Sequence, residues 1–549
     1  GSNGVAIGRE LSSSGNGLLF TNPHLGWDDF TFRMYGFHQI IPGVSNLLGA
    51  NQAQRANVGF GTNGEVAWTN TVSDGLFFSF YEHELVPGNP LQYVFDDEVR
   101  DIEPVTVSIR ELNDDGSVSD HEHTFYRSHH GWFVGGGILP WTETEGFAVR
   151  PADEGARGFQ GGALAMARAT NVRELKAVIE QYGNFPSTNV IAADSSGEVL
   201  VGDLAPAPYL SDEQLEACAT SSTGQRILGN TSDCEWMIDE NAAAPGLLPP
   251  DMMPSIIRSD YGTNSNNSAW LSNPQQPIEP ILRIKGDTRT ERSMRTRSGL
   301  MMVQARQAGT DGLPGNTFDL DSLQERMLSN QAPAAQLLLD GLLEACRANP
   351  TVSLESGDVD LTEACDVLAA WDRSYNLDSR GAHVFREFLR GMITDGSNVP
   401  ESIAVTMPFD ADNPVATPAG FDPDIRRFGF QLCCLPAAPV RAGDPLPELF
   451  GAATARSPAS GGIPSTVAGV ETRAGRSTLV VAHGGAARVG GGETICVRRG
   501  VGHVARRSIQ VQFKVTPGTE IWAEQRALRR PVQSAGLVEL IVERLQTDA

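Results

Sequence analysis

Cysteine is scarce in this chain, seven residues in 549, which excludes a disulfide-built scaffold, and no pair has zinc-ligand spacing. Cys218 and Cys234 bracket a polar loop, and Cys346 and Cys365 bracket a turn between two helical patterns. Either pair can bridge in an oxidising compartment or remain as buried thiols; Cys433, Cys434 and Cys496 leave an odd count. Long apolar runs are also lacking. None approaches the eighteen or so residues of a membrane span, and no signal peptide opens the chain. Positive charge is in short supply, with 42 Lys and Arg against 67 Asp and Glu and a formal charge of −25. That balance excludes nucleic acid and anionic membrane surfaces as partners and favours solubility. The C-terminal stretch has absences of its own: no Asn after Asn413, no Lys but Lys514, and no Asp between Asp444 and Asp548.

What is present reads first as strands. From Leu18 to about Tyr81, short apolar runs are punctuated by Gly and Asn turns. Within Glu65 to Val72, the residues Val66, Trp68 and Val72 alternate with more polar neighbours, which predicts a strand with one buried face. The runs Leu91 to Glu98, Val105 to Leu112 and His123 to Tyr126 predict an antiparallel meander, with Asp96-Asp97 and Asp114-Asp115 as turns. The first helix is expected at Asn171, where Asn171 and Glu174 have capping-box spacing; Val172, Leu175, Val178, Ile179 and Tyr182 form its stripe, and Gly183 stops it. A hairpin of Asn189 to Ala193 with Glu198 to Val201 follows across Asp194-Ser195-Ser196-Gly197. Helical stripes then run over Leu320 to Asn330, Pro333 to Ala348, Leu361 to Trp371 and Arg380 to Ile393. Sheets followed by packed helices predict an α+β layered fold, with this block, about 319–393, as a helical layer on the sheets.

Ser2 is the residue that gives the pattern chemistry. A serine alcohol needs a base within hydrogen-bond reach, and a free α-amine on the same residue, with a reference pKa near 8, would be one. Around it stand Ser2-Asn3, Asn22-Pro23-His24, Ala67-Trp68-Thr69 with Thr71-Val72, and Asn264-Ser265-Asn266-Asn267-Ser268. Together these resemble the β-subunit of the penicillin acylase family of N-terminal nucleophile hydrolases. Ile40-Ile41-Pro42-Gly43 and Ala165-Met166-Ala167-Arg168-Ala169-Thr170 are most similar to its branch of acyl-homoserine lactone acylases and aculeacin-type acylases. The resemblance spans roughly residues 2 to 410, and it implies a four-layer αββα sandwich of antiparallel sheets and helices. The core is expected over 2–424. Residues 425–549 form a segment of atypical composition, either a variant domain or the product of a reading-frame slip partly restored near the end.

The resemblance also implies a set of roles. Ser2 is the nucleophile and its amine the proton shuttle, His24 orients them, the backbone N–H of Val72 and the side-chain amide of Asn266 (Asn264 in reserve) form the oxyanion hole, and an arginine near the amine keeps it basic. Arg292 is the choice among Arg289, Arg292, Arg295 and Arg297, and Arg289 the reserve; the others are expected on a solvated face. Phe20, Leu25, Trp27 and Val72 are expected to wall an apolar acyl pocket. No cofactor and no metal is expected: His121, His123, His129 and His130 read as hairpin histidines without a further ligand. The implied partners are an α-subunit from the same precursor, carrying the export signal to a periplasmic or secreted location, and a small-molecule N-acyl amide. Gly1 precedes Ser2 and, while attached, ties up the amine; a Gly-Ser junction suits self-cleavage by the serine. The expected activity is amide hydrolysis on acyl-homoserine lactones or similar fatty-acyl amides. The alternatives are a penicillin or cephalosporin acylase and an inactive relative that binds acylated ligands.

Overall fold

The structure, a computed structural model, describes residues 2–24, 34–52, 55, 57–113, 115–136, 139–154, 159–354, 357–376, 379–392 and 405–421, and backbone segments of 465–473, 476–484, 486–488, 494–496, 510–515 and 521–526. In chain order the first strands are β1 (Ser2–Ile7), β2 (Leu18–Pro23), β3 (Met34–Ile41), β4 (Ser45–Gln52), β5 (Phe60–Thr62) and β6 (Val66–Val72). After them come β7 (Phe78–Val86), β8 (Asn89–Phe95), β9 (Glu98–Asp101), β10 (Glu103–Leu112), β11 (Val118–Ser128), β12 (Gly131–Val134) and β13 (Glu145–Pro151). Helices α1 (Phe159–Met166) and α2 (Val172–Tyr182) precede β14 (Thr188–Asp194) and β15 (Val199–Gly202). Helix α3 (Asp212–Cys218) precedes β16 (Arg226–Leu228), β17 (Ser255–Arg258) and β18 (Tyr261–Asn264), and then come α4 (Met294–Gln307), α5 (Leu320–Met327), α6 (Pro333–Ala348), α7 (Thr362–Ala369) and α8 (Ala382–Met392).

Two sheets form the centre. One runs β18-β1-β2 and continues through Ser465–Arg473; the other runs β17-β15-β14-β6-β5-β4-β3. Side-chain alternation along their strands sorts residues into layers. On the first sheet, Val5, Ile7, Leu18 and Phe20 point outward to Leu300 and Val303 of α4 and Leu323 of α5. Ala6 and Leu19, one residue out of phase, point inward and meet Ala67, Ile191, Ala193 and Val201 of the second sheet. The far face of that sheet carries Val66, Trp68, Val190, Ala192 and Leu200 against Val172, Leu175 and Ile179 of α2. Helix, sheet, sheet, helix is the αββα order implied by the resemblance. The two sheets approach closely where β1 carries Gly4, since a Cβ there would lie 2.9 Å from Ile191 Cδ1.

Several expectations change in detail. Val66 to Thr69 are buried on both faces of β6 because the sheet is covered on both sides, and Val72, at the strand end, is exposed. The meander is real and antiparallel but belongs to a third sheet, β10-β11-β12-β13-β7-β8-β9, with β16 alongside β7. Helix α2 is capped by Asn171, which accepts from the N–H of Arg173 and Glu174, and ends at Gly183 with φ 62. Glu174 reaches back to the N–H of Thr170 at 2.8 Å, one residue before the cap. Helices α6, α7 and α8 do not layer on the central sheets. They bury Leu338, Leu342, Leu368, Phe385 and Phe388 against one another, and α4, absent from the sequence reading, covers the sheet with α5. The two cysteine pairs left open between bridges and buried thiols are both bonded, Cys218 to Cys234 and Cys346 to Cys365. Closing loops with sequence separations of 16 and 19 residues is worth about 3 kcal/mol each through the unfolded chain.

Candidate active site

Register fixes where Ser2 sits. Along β1, Gly4 and Ala6 face the second sheet, so Ser2, two residues earlier, has the same phase at the strand end; it pairs with Pro23 of β2 and is buried. On β6 the inward phase gives Ala67, Thr69 and Thr71. Thr69 shares a short hydrogen bond with Thr21 of β2. Thr71 Oγ1 donates at 2.6 Å to Asn264 Oδ1 on β18. Asn264 Oδ1 also accepts from Asn189 Nδ2 at 3.2 Å and from the N–H of Asn266 at 2.8 Å. Asn264 is therefore a buried bracket tying β6, β14 and β18 together, and it aims the next turn rather than the chemistry.

That turn presents Asn266. Its backbone has φ 77, a left-handed conformation asparagine tolerates better than most residues. Asn266 Oδ1 accepts from the backbone nitrogen of Ser2 at 2.6 Å, and its Nδ2 donates to the carbonyl of Val72 at 2.8 Å. One amide hydrogen remains for another acceptor. Val72 faces Thr188 in a non-hydrogen-bonded pair, because the ladder bond on that side runs from Ser73 N to Ser187 O. The N–H of Val72 hence points away from β14, and β5, which pairs only with Ala67 and Trp68, does not extend alongside it. Ser2, Asn266 and Val72 thus converge at one place in the structure.

The arginine in place is Arg295, not Arg292. Arg295 Nη1 donates to Ser2 O at 2.9 Å, Asn266 Oδ1 at 3.0 Å and Asn3 Oδ1 at 3.1 Å. Arg292 is buried one turn earlier, lies over the ring of Trp270 at 4.7 Å and donates to Asp287 O at 2.7 Å. The reserve, Arg289, pairs with Asp412 at the surface. Four arginines spaced two or three apart look alike in sequence. Helix α4, which starts at the Ser293 cap, decides which of them turns toward β1. Arg297, expected on a solvated face, is fully buried and donates to the carbonyls of Val415 and Pro418.

His24 Nε2 lies 2.7 Å from Asn22 Oδ1 and 3.3 Å from Asn3 Nδ2, donating to the first in one tautomer and accepting from the second in the other. Burial, then the Arg295 charge, lowers its pKa to about 4. The imidazole is consequently neutral at physiological pH and a weak base.

A cavity of about 210 Å³ opens beside Ser2 and Val72, on the helix-facing side of the second sheet. Its apolar walls include Met34, Val58, Phe60, Trp68, Met166 and Phe185. Of the expected wall residues, Val72 is there. Phe20 is not: its phase on β2 turns it to the opposite face, toward α4 and α5. Leu25 and Trp27 lie outside the described residues. Trp68 was legible as buried but not as a wall, because cavity walls and core look the same until the layers are assembled.

Behind the site, a buried ion pair fixes the segment after Val72. Lys285 Nζ contacts Asp203 Oδ1 at 2.8 Å and Ala205 O at 2.9 Å, while Asp203 Oδ2 accepts from Ser73 Oγ at 2.6 Å. Removing one member strands a buried charge, which costs about 3–5 kcal/mol. Lys285→Met is expected to lower the unfolding free energy by about that amount, read as a drop in denaturant midpoint; a change below about 1 kcal/mol would show that the pair is hydrated and weak.

Comparisons with known proteins bear on the family and the fold. The penicillin amidase family model matches residues 1–428. The chain is 38% identical to aculeacin-A acylase of Actinoplanes utahensis over 447 residues, 79% of this chain and 55% of that protein. It is 31% identical to the acyl-homoserine lactone acylase PvdQ of Pseudomonas putida over 425 residues, 76% of this chain and 52% of the relative. The chain therefore spans about half the length of the relatives it matches. Its fold is similar to a thermostable penicillin G acylase from Alcaligenes faecalis, with a TM-score of 0.56 at 15% identity, covering 87% of this chain and 90% of that one. A terminal-strand serine bonded through its nitrogen to Asn266, on an αββα frame matched over most of its length by one family, leaves a single assignment: the chain belongs to the penicillin amidase family.

Proposed function

We propose that this chain is the nucleophile-bearing part of an N-acyl amide hydrolase acting on acyl-homoserine lactones or similar fatty-acyl amides. The observation that carries the reading is the 2.6 Å contact of Ser2 nitrogen with Asn266 Oδ1, beside an apolar cavity lined by Ser2 and Val72. In the working form the bond between Gly1 and Ser2 has been cut by self-cleavage, and an α-subunit from the same precursor completes the pocket. Export to the periplasm or outside the cell goes with that precursor, and the two bonded cysteine pairs suit an oxidising compartment.

Ser2 Oγ attacks the acyl carbonyl as its proton passes to the α-amine of the same residue. The oxyanion is held by the N–H of Val72 and the remaining hydrogen of Asn266 Nδ2. The protonated amine then gives its proton to the leaving nitrogen, the C–N bond breaks, and an ester forms on Ser2. Water attacks that ester by the same route in reverse, releasing the fatty acid and restoring the alcohol. His24 orients Asn22 and Asn3 around the nucleophile without exchanging protons. The cavity favours an aliphatic acyl group over a charged one. Release of amine from long-chain acyl-homoserine lactones by the purified two-chain protein tests the reading; turnover of penicillin G with none of the lactones would replace it with a β-lactam acylase.

Arg295 has a measurable share in this scheme. Its fixed charge beside Ser2 disfavours protonation of the amine and so holds the amine's pKa down. In Arg295→Met that restraint is gone, the amine's pKa rises, and the acid limb of kcat/KM moves to higher pH by about one unit, with roughly tenfold lower activity near neutrality. Arg292→Met is expected to leave the limb where it was. An unmoved limb in Arg295→Met would remove Arg295 from the mechanism.

A further inference from the structure

His129 and His130, the turn between β11 and β12, do not behave as the solvated hairpin histidines the sequence suggests. His130 is buried, and both rings face Glu235, 106 residues beyond His129 in the chain and so invisible to spacing. The two imidazoles share one orientation scheme. His129 Nδ1 is 2.7 Å from Tyr93 Oη, and His130 Nδ1 is 3.3 Å from His83 Nε2. Each ring therefore spends Nδ1 on a protein partner and turns Nε2 toward the same carboxylate oxygen, Glu235 Oε1, at 3.1 and 2.8 Å.

Hydrogen bonding alone leaves this arrangement incomplete. His130 Nε2 is fully buried and has no hydrogen bond of acceptable geometry, although Oε1 is only 2.8 Å away. The oxygen lies off the axis of the ring nitrogen. Off-axis approach is what a chelated ion demands, because imidazole lone pairs and a carboxylate oxygen aim at the ion between them and not at each other. With bonds of about 2.0–2.1 Å, tetrahedral zinc ligands lie about 3.4 Å apart, so the nitrogen–oxygen separations of 3.1 and 2.8 Å open by a few tenths of an ångström to admit the ion. The Nδ1 contacts are the outer partners that orient metal-bound histidines.

We propose that His129 Nε2, His130 Nε2 and Glu235 Oε1 form a binding site for a borderline divalent cation, Zn²⁺ foremost. Two nitrogens and one oxygen suit zinc better than calcium or magnesium, which take oxygen ligands. Water from the partly exposed side of His129 completes the coordination. Arg150 Nη1, 3.3 Å from Glu235 Oε2, occupies the second carboxylate oxygen and keeps Oε1 turned inward, while its charge moderates affinity. The site is structural. It joins the third sheet to the loop that the Cys218–Cys234 bond anchors, one residue before Glu235.

The test is a titration of chelator-treated protein with ZnCl₂ against a competing chromophoric indicator, alongside the unfolding midpoint with and without zinc. One equivalent per chain is expected, with a zinc-dependent rise in midpoint and no response to Mg²⁺ or Ca²⁺. His129→Ala, at the exposed edge, and Glu235→Gln, which keeps the side chain's size, are each expected to weaken uptake at least tenfold and abolish the rise in midpoint. If the untreated midpoint of one variant shows that it has not folded, the other carries the comparison. No uptake by the wild-type protein, or equal uptake by both variants, overturns the site.

Discussion

Ser2→Ala is expected to yield a folded protein that neither matures nor turns over an acyl amide, with kcat at least about 10⁴-fold below wild type, the scale on which loss of a nucleophile registers. The fold has little reason to object. Ser2 is bound to the rest of the site through its backbone, nitrogen to Asn266 and carbonyl to Arg295, and alanine keeps both. The strand pairings of β1 with β2 and β18 are unaffected. Loss of one hydroxyl costs about 1 kcal/mol, too little to unfold the chain, so the effect is chemical. Intact mass and gel mobility report on maturation, since a chain still joined ahead of Ser2 is heavier than one starting there. Release of amine reports on turnover. The two readouts fail together if the alcohol performs both reactions, and also if it performs the cleavage alone, because a chain still joined ahead of residue 2 has no free amine to act as base. A mature, active Ser2→Ala protein would locate the nucleophile elsewhere and dissolve the proposed function, whereas a matured but inactive one would assign cleavage to another agent and leave the hydrolysis intact.

How far the sequence reveals this site depends on the range of each contact. The α2 helix is legible because its signals are local: a cap at Asn171, a stripe, and a glycine that accepts φ 62. The convergence of Ser2, Val72 and Asn266 is legible only through resemblance, since nothing in residues so far apart says that β1, β6 and β18 end at the same place. Arg295 and Arg292 show the limit. The choice between them is made by the phase of α4 against β1, a tertiary fact. Phe20 fails for a related reason: on a strand buried on both faces every apolar residue fits either side, and only the facing partner reveals which. Glu235 could not be found at all, because its neighbours come from the third sheet, whose placement no local pattern encodes. Within the helical block over 319–393, α5 lies on the sheet as expected, whereas α6, α7 and α8 pack on one another, since an apolar stripe says that a face is covered without saying by what.

Removing the amide of Asn266 is expected to lower kcat by about 10²- to 10³-fold, the usual consequence of deleting one oxyanion donor, with KM changed much less because the ground-state carbonyl asks little of that donor. The choice of substitution matters here. At φ 77 an alanine would add backbone strain of about 1–2 kcal/mol, mixing stability into the kinetics, so Asn266→Gly is the cleaner variant: it accepts the conformation and deletes only the side chain. The same change frees Ser2 nitrogen and Arg295 from a shared acceptor. Part of the loss therefore reflects a less ordered amine, and its pH profile should broaden or shift where a pure oxyanion effect would leave it fixed. Asn264→Ala provides the contrast. Asn264 is buried and brackets Thr71, Asn189 and the Asn266 N–H, so its loss leaves buried donors unpaired at about 1–3 kcal/mol, visible first as a lower denaturant midpoint. The expected pattern is thus a kinetic defect with near-native stability for Asn266→Gly and a stability defect for Asn264→Ala. The opposite pattern would transfer the oxyanion contact two residues back along the chain and make the Asn266 turn a scaffold for it.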